Sequence, residues 1–168
     1  MQRIAIIGNA GGGKSTLARR LSVNLGIPWH PVDRWQWLPG WEPAAPHAFD
    51  EAHEQALAEP RWIIDGWGPP AALERRLRAA DTIIWVDLPL RVHLRRAARR
   101  QVGSLLGRDD APPGCSRWRV TGRMFRLILR VERERESLHE LLERAAREGG
   151  GTLVHLTTVR DLAGYGRD

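Results

Sequence analysis

Apolar positions along the 168-residue chain follow two alternating rhythms. Short apolar runs bounded by turn residues read as buried strands at Arg3–Gly8, in a segment ending near Val32 and Asp33, and at Trp62–Asp65, Thr82–Asp87 and Leu153–Leu156. Between them, apolar residues three and four apart predict helices. Lys14–Leu25 sets Leu17, Leu21 and Leu25 on one face and stops at Gly26, and Phe49–Ala58 and the proline-started Pro70–Ala79 follow. A helix then runs from Pro89 to about Gln101, and the longest, about Trp118 to Glu148, ends at Gly149–Gly151. Thr157 or Thr158 is placed to cap a last turn. Residues 34–47, RWQWLPGWEPAAPH, keep neither rhythm and read as an ordered loop, and the glycines and prolines of GSLLGRDDAPPGC, residues 103–115, break the helical pattern. Strands alternating with helices at this spacing predict an α/β fold, a parallel sheet with helices on both faces.

Composition narrows the setting. A chain of this length buries about 70% of the surface its unfolded form exposes, so it carries a full core without staples. Its single cysteine, Cys115, excludes an internal disulfide and a multi-cysteine zinc site, which favours a reducing compartment. No apolar run approaches the roughly 20 residues that a bilayer requires, and Lys14 arrives before a signal-peptide pattern is complete, so a cytoplasmic protein is expected. The six histidines show no metal-ligand spacing.

Charge is unevenly spread. Residues 91–135 hold thirteen arginines against Asp109, Asp110, Glu132 and Glu134, a local balance of +9 in a chain whose total is +6. An anionic partner is expected beside that segment. Of the 26 basic residues one alone is lysine, Lys14, and it stands at the end of a glycine loop. A compact ammonium fits such a slot where a planar guanidinium does not.

The loop is Gly8-Asn9-Ala10-Gly11-Gly12-Gly13-Lys14-Ser15, followed by Thr16, and it matches G-x-x-x-x-G-K-[ST] between a strand and a helix. Its glycines let backbone N–H groups turn inward around an anion, and the helix N-terminus adds a favourable dipole. Lys14 then reaches the β- and γ-phosphates of a nucleoside triphosphate, and the Ser15 hydroxyl ligates Mg²⁺.

Asp65 and Asp87 close the strands WIID and TIIWVD, and strand ends of a parallel sheet face the ligand crevice. Asp65 is assigned to Mg²⁺; Asp87, followed by Pro89, reads equally as a metal ligand or as a cap of the next helix. Asp33 faces the crevice from the acceptor side, placed to take a proton from an attacking hydroxyl or to help hold the metal. Arg96 and Arg100 are four apart, as are Arg95 and Arg99, and Arg119, Arg123, Arg126, Arg130 and Arg133 form one stripe. Arg96, Arg100, Arg119 and Arg123, nearest the Gly/Pro break, are the candidates for phosphate contact from a closing lid. Trp35, Trp37, Trp41 and Trp67, with Arg34, follow the second and third strands and are candidates for acceptor binding, the indoles by stacking or by packing the loop onto the sheet.

Along nearly its full length the chain resembles the adenylate-kinase-like P-loop kinases, and among them the bacterial proteins labelled DNA topology modulation proteins. The resemblance rests on RIAIIGNAGGGKSTLA, a second strand ending in Asp, WLPGWEP, WIIDG and DTIIWVDLPLRVHLRRAARR. It implies one P-loop NTPase three-layer sandwich over 1–168 with strand order 2-3-1-4-5, an acceptor-side insertion at 34–60, a short lid at 101–117, ATP as donor and Mg²⁺ bound through Asp65. Adenylate kinases follow their Asp-Gly with an aromatic, a proline and an arginine that grips the acceptor's phosphate. Here the run is Trp67-Gly68-Pro69-Pro70 and the arginine is missing, which favours a hydroxyl-bearing small molecule near Asp33. The expected activity is ATP- and Mg²⁺-dependent phosphoryl transfer to a small molecule or nucleotide. The competing class is a nucleotide-dependent regulatory protein whose arginine-rich segment binds nucleic acid, although no helix-turn-helix or zinc-finger module is present.

Overall fold

The computed structural model describes residues 1–105, 114–115 and 120–166. At its centre lies strand β1 (Arg3–Gly8), in which Ile4, Ala5, Ile6 and Ile7 are wholly buried. A run that is apolar at every position needs cover on both faces. β1 pairs in parallel with β5 (Trp62–Asp65) on one side and β6 (Thr82–Val86) on the other. β2 (Trp29–Pro31) extends the sheet beyond β5, and β7 (Thr152–Leu156) extends it beyond β6. The order is β2-β5-β1-β6-β7, which is 2-3-1-4-5 when these five strands alone are counted along the chain. The numbering skips because β3 (Trp37–Leu38) and β4 (Glu42–Pro43) form a separate antiparallel hairpin.

Alternate residues of β1 serve opposite layers. Ile4 and Ile6 pack with Leu17 and Leu21 of α1 (Lys14–Leu25) and Leu162 of α8 (Val159–Gly164). Ala5 and Ile7 belong to the other layer, with Phe49 of α3 (Pro46–Ala58), Leu77 of α4 (Pro70–Ala79) and Leu142 of α7 (Arg135–Gly149). Truncating a wholly buried leucine such as Leu21 or Leu77 to alanine costs about 2–5 kcal/mol. Because the strands are parallel and in register, the carboxyl ends of β1, β5 and β6 bring Gly8, Asp65 and Asp87 to one edge, where an open α/β sheet binds its ligands.

Several local expectations are corrected. The second strand stops at Pro31, and Asp33 opens a short helix, α2 (Asp33–Gln36), while the supposed loop 34–47 holds that helix, the hairpin and a turn at Pro39–Trp41. α5 (Leu90–Leu105) continues past Gln101, so the start of the expected 101–117 lid is helical; residues 106–113 and 116–119 lie outside the described residues. The expected long helix is two, α6 (Thr121–Arg133) and α7, parted at Glu134. The two bury different faces: Ile128 alone is buried in α6, which packs on α5, whereas Leu138, Leu142, Ala145 and Ala146 seat α7 against α4 and the sheet. A straight helix cannot serve both contacts. Thr158, not Thr157, caps α8, accepting from the Asp161 N–H while Asp161 accepts from the Thr158 N–H. Among the described residues no helix is long and apolar enough to cross a membrane.

Candidate functional site

The glycine loop between β1 and α1 is held from outside, by its carbonyls. The Arg96 guanidinium donates to Gly12 O at 2.8 Å, His93 Nδ1 donates to Ala10 O at 2.9 Å, and Lys14 Nζ donates to Asn9 O at 3.0 Å. His93 and Arg96 stand three apart on α5 and clamp the loop from one helix face. Close contact explains two glycines: at Gly8 (φ +148°) a Cβ would collide with Val86 O, and at Gly11 (φ +71°) it would lie 2.9 Å from His93 O. Asn9 has a second task in the loop. Its side chain is buried, donating from Nδ2 to Ile128 O at 2.9 Å and accepting from Ala10 N at 2.8 Å, so it ties the loop to α6 and presents no side chain to a phosphate.

Ser15 and Asp65, the two metal candidates, meet across the loop: Ser15 Oγ donates to Asp65 Oδ2 at 2.7 Å. The Trp29 indole donates to Asp65 Oδ1 at 2.7 Å and fixes the carboxylate's orientation. Both candidate ligands are hard oxygens, the donor type that suits Mg²⁺, and a nucleotide's phosphates are needed to complete the shell. Among the described residues no cluster of three His, Cys, Asp or Glu side chains offers a metal site of its own.

Behind Asp65 lies a residue that sequence reading passed over. Arg76 of α4 is wholly buried and donates from Nη2 to Gly66 O at 2.6 Å and Trp67 O at 2.9 Å, bracing the turn after β5 from the core side. Burial pushes its pKa down to about 10, against the pull of nearby Asp65. Its sequence signal is an arginine inside the apolar stripe of Ala72, Leu73 and Leu77.

Two cavities open at this edge of the sheet. The larger, about 600 Å³, is lined by the loop from Gly11 to Thr16, by Arg96, Arg99 and Arg100 of α5, and by Val159 and Leu162 of α8. The smaller, about 350 Å³, has Asp33, Gln36, Trp37 and Trp41 on one side, Asp65 to Gly68 at its base, and Arg100, Gln101 and Arg123 opposite. Gly11, Lys14, Ser15 and Arg100 line both. Desolvation holds the Lys14 ammonium below the ordinary 10.5, with Asp65 and Asp33 pulling the other way.

Sequence candidates therefore divide. Lys14, Arg96, Arg100, Arg123, Asp33, Trp37, Trp41 and Trp67 face one cavity or the other. Arg34 and Trp35 line neither: Arg34 is exposed, and Trp35 packs edge-on against Phe49 and His53 and stacks on His30. Arg119 lies outside the described residues. Asp87 fills neither expected role, since its carboxylate takes a bidentate grip from Arg135 at 2.7–2.9 Å and a 2.7 Å contact from His155, which anchors the start of α7 to the sheet. The rest of the arginine stripe, Arg126, Arg130 and Arg133, is exposed on α6.

The cavity hairpin carries one strained residue. Trp41 sits at φ +66°, the one non-glycine with positive φ among the described residues, at a cost of about 1–3 kcal/mol. Its turn is fastened by Gly40 N–H donating to Gly114 O at 2.9 Å and by the Cys115 thiol donating to Leu38 O at 3.2 Å.

No protein-family model matches the sequence, and no curated protein matches it. Solved structures do. Shikimate kinase from Acinetobacter baumannii in complex with shikimate matches at a TM-score of 0.53 and 17% identity, over 94% of this chain and 83% of its own. A gluconokinase from Sinorhizobium meliloti 1021 matches at 0.52 and 13%, over 99% of this chain and 87% of its own. Shikimate kinase from Bacteroides thetaiotaomicron matches at 0.50 and 14%, over 92% and 86%. These neighbours bear on the fold alone and are silent on DNA topology. At such identities the likeness is one of architecture: this chain has the adenylate-kinase-like fold of the P-loop small-molecule kinases.

Proposed function

We propose that the chain transfers the γ-phosphoryl group of ATP, with Mg²⁺, to the hydroxyl of a small molecule. The observation that carries this reading is the junction of the two cavities at Gly11, Lys14, Ser15 and Arg100, which gives a donor phosphate and an acceptor room on opposite sides of one ammonium. In-line transfer needs that arrangement.

The roles follow from position. Backbone N–H groups of the loop and the Lys14 ammonium hold the β- and γ-phosphates. Ser15 and Asp65 would hold Mg²⁺, which would offset phosphate charge when bound. Asp33 lines the acceptor cavity and takes the hydroxyl proton as that oxygen bonds to the γ-phosphorus and the bond to the β-phosphate oxygen breaks. Arg96, Arg100 and Arg123 offset charge on the group in transit, Arg100 from the shared wall.

Calorimetric titration of Mg·ATP into the wild-type chain and Lys14→Ala tests the donor half, with at least a tenfold loss of affinity expected. Because Lys14 loses its proton below the ordinary lysine value of 10.5, wild-type affinity should also fall as pH rises toward that value, and Lys14→Ala should not share the fall. Equal affinity in the two proteins overturns the assignment.

A further inference from the structure

The two walls of the acceptor cavity differ in charge. The wall built from residues 31–41 and 65–68 presents Asp33, Gln36, Trp37, Trp41, Asp65 and Trp67. It includes no cationic side chain: Arg34, the one basic residue in those stretches, is exposed and outside the lining. The cations among the described lining residues are Lys14 of the loop, Arg100 of α5 and Arg123 of α6. Lys14 and Arg100 also line the donor cavity, so a triphosphate claims them first.

An acidic acceptor seated on that wall would press its charge toward the Asp33 carboxylate and the negative faces of indoles. An ammonium, or the polarised C–H face of a polyol, is drawn to the same surface. The wall is also deliberately shaped. The Trp37 and Trp41 rings meet at 71° with centroids 5.8 Å apart, giving two indole planes at one corner, and Trp41 is held there at a backbone angle that a bulky residue avoids.

Building on the kinase reading, we propose that the phosphoryl acceptor is an alcohol without an anionic group, a polyol or amino alcohol, whose C–H or ammonium face rests on Trp37 and Trp41 while its hydroxyl turns to Asp33. In the transfer the acceptor oxygen bonds to the γ-phosphorus, its proton passes to the Asp33 carboxylate, and ADP leaves with the electrons of the broken bond.

A matched set of pyranoses isolates the charge: glucosamine, glucose and glucuronate differ chiefly in carrying an ammonium, nothing or a carboxylate. Binding is read from tryptophan fluorescence of the full chain with Mg·ATP present, and ADP release is followed in parallel. Glucosamine and glucose should bind at least tenfold more tightly than glucuronate. Asp33→Asn should shrink the preference for glucosamine over glucose, and Trp41→Gly, which suits φ +66°, should weaken the fluorescence response to the sugars without lowering the melting temperature. Glucuronate binding as tightly as the other two overturns the proposal, as does a flat response to both glucose and glucosamine in a chain that binds Mg·ATP. Failure to bind Mg·ATP in the same experiment strikes the kinase reading instead.

Discussion

Asn9, the second residue of the phosphate loop, donates from Nδ2 to the carbonyl oxygen of Ile128 at 2.9 Å, in the middle of α6. That bond is buried, and α6 also supplies Arg123, Met124 and Leu127 to the acceptor cavity. A loop that closes on phosphate is thus joined to the helix that walls the acceptor. Asn9→Ala should cost about 1 kcal/mol of stability through the lost hydrogen bond. It should also uncouple the two elements: Mg·ATP should slow hydrogen exchange of α6 amides in the wild type, and in Asn9→Ala that slowing should be largely lost while the slowing within α1 remains. Equal slowing of α6 in both proteins would show that the strap transmits nothing.

The architecture was legible in the sequence because the central strands β1, β5 and β6 are apolar at nearly every position, and each main helix repeats its apolar residues at three and four. The donor loop was legible for a different reason, since eight residues in fixed order specify its geometry. The Asn9 side chain's tie to α6 was not legible, because a motif defines which backbone groups face the phosphate and says nothing of where a variable side chain goes. Trp35 and Trp37 stand two apart in one tryptophan-rich segment, yet one lies against Phe49 and His53 and the other on the cavity. That split follows from the switch of helix to strand between Gln36 and Trp37, in a segment with no period to read. Asp87 was placed at the crevice by its strand; its capture by Arg135 depends on the break at Glu134, hidden inside a continuous helical pattern.

Arg76 tests how the core supports the site. Its Nη2 satisfies the Gly66 and Trp67 carbonyls, whereas its Nε and Nη1 have no partner among the described residues. Removing it loses two hydrogen bonds, each worth about 0.5–1.5 kcal/mol net, and at the same time relieves a buried cation. A shape-filling apolar side chain keeps the packing as the charge goes, so Arg76→Met should be more stable than Arg76→Ala by about 1 kcal/mol or more, the alanine variant leaving a cavity as well. Both should loosen the turn that carries Trp67 and weaken Mg²⁺ dependence through Asp65. Urea unfolding of the two variants checks the order, and equal midpoints would mean that Arg76 braces nothing by its bulk.

Mild acid should destabilise the fold through two histidines. His53 lies wholly buried against Phe49 and Trp35, and His93 lies buried beneath the phosphate loop. Burial holds both below the ordinary 6.5, helped by Arg76 at His53 and by Lys14 at His93, and opposed by Glu54 and by the Ala10 carbonyl respectively. A base whose pKa is lower in the folded state binds fewer protons there than in the unfolded chain. Its contribution is therefore whole above the unfolded pKa and declines as pH falls through that value toward the folded one. The slope cannot exceed about 1.4 kcal/mol per pH unit for each histidine. Unpaired carboxylates titrate near pH 4, so a comparison of unfolding free energies at about pH 7.5 and about pH 5.5 isolates the imidazoles. The wild type should lose stability across that interval. His53→Phe, which keeps the ring stack, and His93→Gln, which keeps a donor for Ala10 O, should each remove part of the loss. An undiminished loss in the double variant would place the acid sensitivity elsewhere in the chain.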